Sequence, residues 1–205
     1  MKKSEVTREK ILEAAEKEFS SFGLYGARID RIAQGAGANK QLIYAYFENK
    51  ENLYRTILTR VYDRLNQSEM QIVPEPGKCM EAMERVIGNY FRFLSENTSF
   101  VNLVMWENLN QGVYITESME GVASRPGLEY TKEILRLGVK TGEFRPDLDI
   151  DQVVLSMNLF CFSYFSNRYT MDKVFGFPER NPDQVDARQA HICEMLRRYL
   201  IKEHQ

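Results

Sequence analysis

The chain has 205 residues, 43% of them hydrophobic and 27% charged, with a formal net charge of −2. That length holds one medium domain or two small ones with a real core, and no run reaches the roughly 20 apolar residues of a membrane span. The N-terminal MKKSEVTREK lacks the apolar stretch of a signal peptide, and Cys79, Cys161 and Cys193 are scattered and odd in number, so the expectation is a cytoplasmic protein with reduced thiols, no metal and no cofactor.

The charge is unevenly spread. Residues 1–60 carry 11 Lys and Arg against 8 Asp and Glu, the remainder 16 against 21. A basic surplus at one end suits phosphate binding there.

In chain order, Thr7 can cap a first helix whose Ile11, Leu12, Ala15, Phe19 and Phe22 form one stripe, ended by Gly23 and Gly26. Ile29, Ile32 and Ala33 repeat at helical spacing up to Gly35. Gly35-Ala36-Gly37 then supplies a tight turn, because glycine adopts positive φ without steric cost. Asn39 caps a second short helix. Its apolar side is Leu42, Ile43 and Phe47, and its donor-rich side is Lys40, Gln41, Tyr44 and Tyr46. Two short helices about a glycine turn meet the docking requirement of a helix-turn-helix, whose second helix enters the major groove.

Asn49 caps a further helix through Leu53, Ile57, Val61 and Leu65 to about Ser68, broken by the prolines of VPEPGK. Helices are predicted over residues 78–97, after Ser99 through Trp106, in a short piece from Tyr114 to Val122, and from Pro126-Gly127 to Thr141-Gly142. Asp149-x-x-Gln152 is a capping box before a long apolar run, Val153 to Tyr169, and Asn181-Pro182 opens the last helix. Strand signals are almost absent, so the fold class is all-α.

The run from Ile11 to Leu53 resembles the N-terminal domain of the TetR family of bacterial transcriptional regulators. The matching residues are Ile11, Ala15, Phe19, Gly23, Ile32-Ala33, Gly37, Tyr44, Phe47 and Lys50-Glu51-Asn52-Leu53. The Tyr-x-x-Phe-x-x-Lys-Glu-x-Leu tail separates this family from other helix-turn-helix proteins. Ala27 departs from the family's usual threonine, removing a helix cap, and Ala38 stands where a small branched residue is common.

The resemblance implies a DNA-binding head over residues 1–54 and a larger helical effector-binding and dimerisation domain over residues 55–205. It implies a transcriptional regulator, a repressor released from a palindromic double-stranded operator by a small, mainly apolar or aromatic effector. The alternative is a DNA-scaffolded interaction protein with the same head and no effector. Lys40, Gln41 and Tyr44 are the base-reading candidates, since lysine suits guanine and glutamine suits adenine. Arg28, Asn39, Tyr46 and Lys50 are the phosphate candidates.

Effector-pocket candidates are Phe93, Trp106, Asn158, Phe162 and Phe165. For each aromatic, core packing competes with ligand contact. Asn158 interrupts an apolar helix and needs a partner, which can be a side chain, a second subunit or a ligand. The family dimerises through its last two helices, and the penultimate one is apolar over most of its circumference. Met157, Cys161, Ile192, Leu196, Tyr199 and Leu200 are the expected homodimer contacts. With His191 and His204 the only histidines, and no nucleophile, metal or phosphate-loop spacing, the chain is not read as an enzyme.

Overall fold

The computed structural model describes residues 3–69, 72–118, 126–176 and 182–201. Among them are eleven helices and no strand: α1 Lys3–Gly26, α2 Ile29–Ala36, α3 Lys40–Phe47, α4 Lys50–Glu69, α5 Cys79–Glu96, α6 Thr98–Leu109, α7 Val113–Ser118, α8 Pro126–Thr141, α9 Ile150–Ser166, α10 Arg168–Phe175 and α11 Pro182–Leu200. The end of the short piece predicted to reach Val122, and the Asn181 cap, lie outside the described residues. The helices group into two compact units. One comprises Met1–Arg64 and Asn97–Ser124, the other Leu65–Glu96 and Arg125–Gln205. The sequence places a single boundary after residue 54. The compact units instead interleave along the chain, because α6 packs on α1.

The first unit is built on α1, which begins at Lys3 and so needs no cap from Thr7. Ile11, Leu12, Ala15 and Phe19 are buried as one stripe, while Phe22 is exposed. Gly23 breaks the helical path with φ 63° and ψ 179°, a conformation essentially restricted to glycine. A Cβ there would lie 2.8 Å from the Trp106 ring of α6. The Trp106 indole N–H donates to the Ser20 carbonyl at 3.2 Å, one turn before the break.

Three nearly buried carboxylates tie the same unit together. Glu107 of α6 accepts the Tyr54 hydroxyl of α4 at 2.8 Å and the backbone N–H groups of Tyr114 and Ile115 in α7 at 3.1 and 3.0 Å. Burial and this hydrogen bond hold the Tyr54 phenol protonated, far above its ordinary pKa. Glu16 of α1 accepts from Arg64 of α4 and Ser99 of α6. Glu18 serves α2, as described below.

In the second unit α5 packs on α8, α9 and α11. Asp149 caps α9 through the Gln152 N–H at 3.1 Å, as its spacing predicts. Glu143 accepts from the Gly77 and Cys79 N–H groups at 2.7 and 2.9 Å, capping the start of α5 from the end of α8. The apolar run expected as one helix divides at Asn167 into α9 and α10. Among the described side chains α10 buries none. The Cys79 and Cys161 thiols are buried, and desolvation pushes both up to about 12, so they stay protonated.

Gly23→Ala should therefore lower unfolding free energy by about 2–4 kcal/mol, combining backbone strain with overpacking against Trp106. Urea denaturation followed by tryptophan fluorescence measures it; a wild-type midpoint would show that the break tolerates a side chain.

Candidate DNA-reading face

The helix-turn-helix forms as its residues dictate. Ile29, Ile32, Ala33 and Ala36 bury one side of α2. Gly37 adopts the left-handed conformation at φ 61°, and its N–H and that of Ala38 close the end of α2 onto Gln34 and Ala33. Asn39 then starts α3, its Oδ1 accepting the Leu42 N–H at 2.8 Å. Ile43 and Phe47 are buried, which turns the opposite side of α3 to solvent.

Position 27 precedes the cap residue of α2, Arg28, and the start of this helix is held from another helix. Arg28, the residue capping α2, offers no side-chain bond to its own helix. Its backbone N–H instead donates to Glu18 of α1 at 2.9 Å, and Arg31 donates to the same carboxylate at 2.7 Å. Arg31 also stacks over Phe22, 4.2 Å from the ring centre. Charge-assisted bonds of this kind fix α2, and hence α3, on α1.

Lys40, Gln41, Tyr44 and Arg28 are all exposed. Tyr46 is half-buried and donates to the Ser4 carbonyl at 3.1 Å, tying the start of α1 to α3. Lys50 is half-buried and donates to the carbonyl of Ala27, the residue before Arg28, at 3.3 Å, so it stands beside the start of α2. Asn39 is committed as a helix cap through its oxygen, leaving only its amide nitrogen for a phosphate. Lys40 is paired with Asp30 at 2.6 Å. No helical periodicity points to Asp30, because its partner lies on the next helix, across the glycine turn.

The effector candidates fall in both units. Trp106 belongs to the first unit and is engaged with Gly23 and Ser20. Asn158 donates to the Val154 carbonyl of its own helix at 2.8 Å, which meets its need for a partner locally. Phe93 and Phe165 are buried in the second unit, Phe165 with its ring 5.2 Å from that of Phe91. Phe162 is half-buried. A groove of about 460 Å³ between α5 and α11 is bordered by Phe91, Arg92, Val185 and Asp186, and none of the five candidates lines it.

The expected dimer contacts differ in exposure. Met157, Cys161, Ile192, Leu196 and Leu200 are buried within the single chain, and only Tyr199 is exposed. They form the inner stripes of α9 and α11, facing the protein's own core. A side chain already removed from solvent in one protomer has no surface left to offer a partner.

Comparison with known proteins completes the picture. Residues 11–57 match the family model for bacterial regulatory proteins of the tetR family, and residues 80–196 match that for the tetracyclin repressor-like C-terminal domain. The HTH-type transcriptional repressor NicS of Pseudomonas putida is 32% identical over 166 residues, covering 80% of this chain and 78% of NicS. Among solved structures, the ketosteroid transcriptional regulator KstR2 of Mycobacterium tuberculosis superposes with TM-score 0.72 at 21% identity, covering 96% of this chain and 95% of that one. The fatty acid degradation regulator FadR of Bacillus halodurans gives 0.68 at 20% identity, covering 92% and 93%. These two likenesses show the fold.

Arg28→Ala and Lys50→Ala should each weaken binding to all duplexes alike. Each should lower the log–log salt slope by about one for every phosphate that its side chain neutralises in a half-site. Fluorescence anisotropy over a salt series reads this, and unchanged slopes in both variants would remove these residues from the DNA face.

Proposed function

The chain belongs to the TetR family of bacterial transcriptional regulators, and on that premise we propose that it is a cytoplasmic homodimeric repressor that carries two copies of α3 to successive major grooves of a palindromic operator. It binds DNA to regulate transcription and is not an enzyme. The observation that carries this reading is the solvent-facing side of α3, where Lys40, Gln41 and Tyr44 stand exposed on a helix fixed at its start by Asn39 and from behind by Ile43 and Phe47. Lys40 and Gln41 occupy the first turn, the part of a recognition helix that reaches base edges. Arg28, Lys50 and the amide nitrogen of Asn39 flank it as phosphate contacts, while Tyr46 gives its one hydroxyl proton to the Ser4 carbonyl.

The dimer face we propose is the outer stripe of α9. Leu155 and Leu159 are 51% and 54% exposed, and Phe162 follows at helical spacing. On α11 the side opposite the buried Ile192 and Leu196 carries the small exposed residues Ala187 and Ala190. An apolar stripe beside small residues lets two helix pairs approach closely about a two-fold axis. The effector site is proposed in the second unit around the clustered rings of Phe91, Tyr164 and Phe165, without Trp106 or Asn158. These rings pack against one another at 5.2–5.8 Å, and Phe91 also borders the groove of about 460 Å³ between α5 and α11, which has room for a small apolar or aromatic ligand. Helix α4 runs from the head into the second unit and is the natural lever. The effector must bind the DNA-competent and released arrangements with different affinity, since otherwise it shifts nothing.

Leu155→Glu with Leu159→Glu should yield a folded monomer whose operator affinity collapses, because the linkage that multiplies two half-site contacts is gone. Leu196→Asp should instead unfold the second unit, since it places a charge in the core. Light scattering, circular dichroism and operator binding on the same samples separate the two. A double variant that remains a dimer would place the interface elsewhere. Release of the operator by aromatic or acyl compounds that also raise the melting temperature tests the effector; a screen with no such compound would favour a DNA-scaffolded interaction protein.

A further inference from the structure

One ion pair stands on the DNA-reading face itself. Asp30 is the second residue of α2 and Lys40 the first of α3, and their side chains meet at 2.6 Å while remaining 69% and 52% exposed. Gln41 follows directly. Such an exposed pair contributes little to stability. Its placement is also costly for binding, because a carboxylate on a surface that approaches phosphates repels them and cancels the charge of the lysine beside it. Lys40 moreover sits at the positive end of α3, where a cation is disfavoured, and the hydrogen bond it donates to Asp30 raises its pKa above the ordinary lysine value. By contrast, Arg28 and Tyr44 are exposed, and the Lys50 ammonium donates to a carbonyl rather than to an acid.

The major groove offers a target that fits both members. A G·C pair presents the O6 and N7 acceptors of guanine and, across the pair, the N4 amino donor of cytosine. Resting on the assignment of α3 as the recognition helix, we propose that Asp30 and Lys40 act as one specificity-determining unit. Lys40 donates to guanine while Asp30 accepts from a cytosine N4 amino group. On sequences that set no base amino group opposite it, or that set one without a guanine for Lys40, the pair is not satisfied as a unit, and Asp30 keeps Lys40 from serving as a sequence-independent cation. Asp30 thus lowers non-specific affinity and sharpens selection at one base-pair position of each half-site.

The test uses the full-length protein, wild type and the variants Asp30→Asn, Asp30→Ala and Lys40→Ala, in site selection from a random duplex library. Anisotropy on a duplex lacking the selected site is measured over a salt series alongside. The wild type should return a motif with an invariant G·C pair in each half-site. Both Asp30 variants should relax that position by about tenfold or more. They should also tighten non-specific binding roughly threefold to tenfold, with a salt slope steeper by about one per head. Lys40→Ala should relax the same position without that gain. Asp30 variants with the wild-type motif, slope and non-specific affinity would overturn the proposal, as would a uniform loss on every sequence, the signature of a structural tie between α2 and α3. A wild type that selects no motif would instead sink the assignment of α3 as the recognition helix, and with it this inference.

Discussion

The first unit depends on how Trp106 seats on the break in α1. Gly23 bends the chain through a conformation closed to other residues. The indole covers the bend and satisfies the Ser20 carbonyl one turn earlier. The bend lets Leu24 and Ala27 turn into the core and sets where α2 starts. Glu18, on the straight part of α1, then holds the first residues of α2. The direction of the recognition helix is therefore inherited, step by step, from a contact between α1 and α6, a helix far along the chain. This is why α6 belongs to the same compact unit as the head.

Directional polar bonds reinforce that arrangement. Glu16, Glu18 and Glu107 are each nearly buried and each engaged by donors from other helices. A buried carboxylate that loses its partner is destabilising by about 3–5 kcal/mol, so these contacts hold one geometry rather than a range of them. Ile11, Leu12, Ala15 and Phe19 of α1 and Leu53, Ile57 and Val61 of α4 are buried, and the carboxylates constrain how the helices they join can meet. A reading head needs this, because base discrimination depends on placing a side chain to within a fraction of an ångström.

The electrostatics of the DNA face are accordingly finer than its overall charge. Net basicity in residues 1–60 brings the head to phosphate, yet one of its exposed lysines is matched by an acid. Attraction and discrimination are different requirements. Unpaired cations serve the first and add to affinity for any duplex, whereas a placed donor and acceptor serve the second.

Local chemistry made much of this legible in the sequence. The glycine turn at Gly37, the Asn39, Asn49 and Asp149 caps, the breaks at VPEPGK and Thr141-Gly142, and the exposed donors of α3 all follow from residue preferences acting over a few positions. What the sequence could not decide was which side of a uniformly apolar helix faces inward. Residues 153–165 are apolar nearly all round, so periodicity cannot separate the inner stripe of Val153, Met157 and Cys161 from the outer stripe of Leu155 and Leu159. The same holds for partners distant in the chain: Trp106 on Gly23, Glu18 on Arg28, Glu107 under Tyr54 and Asp30 beside Lys40. Caps and turns are fixed by neighbours along the chain, but the inner face of a helix and the partner of a buried charge are fixed only when helices pack, and only the tertiary structure decided them.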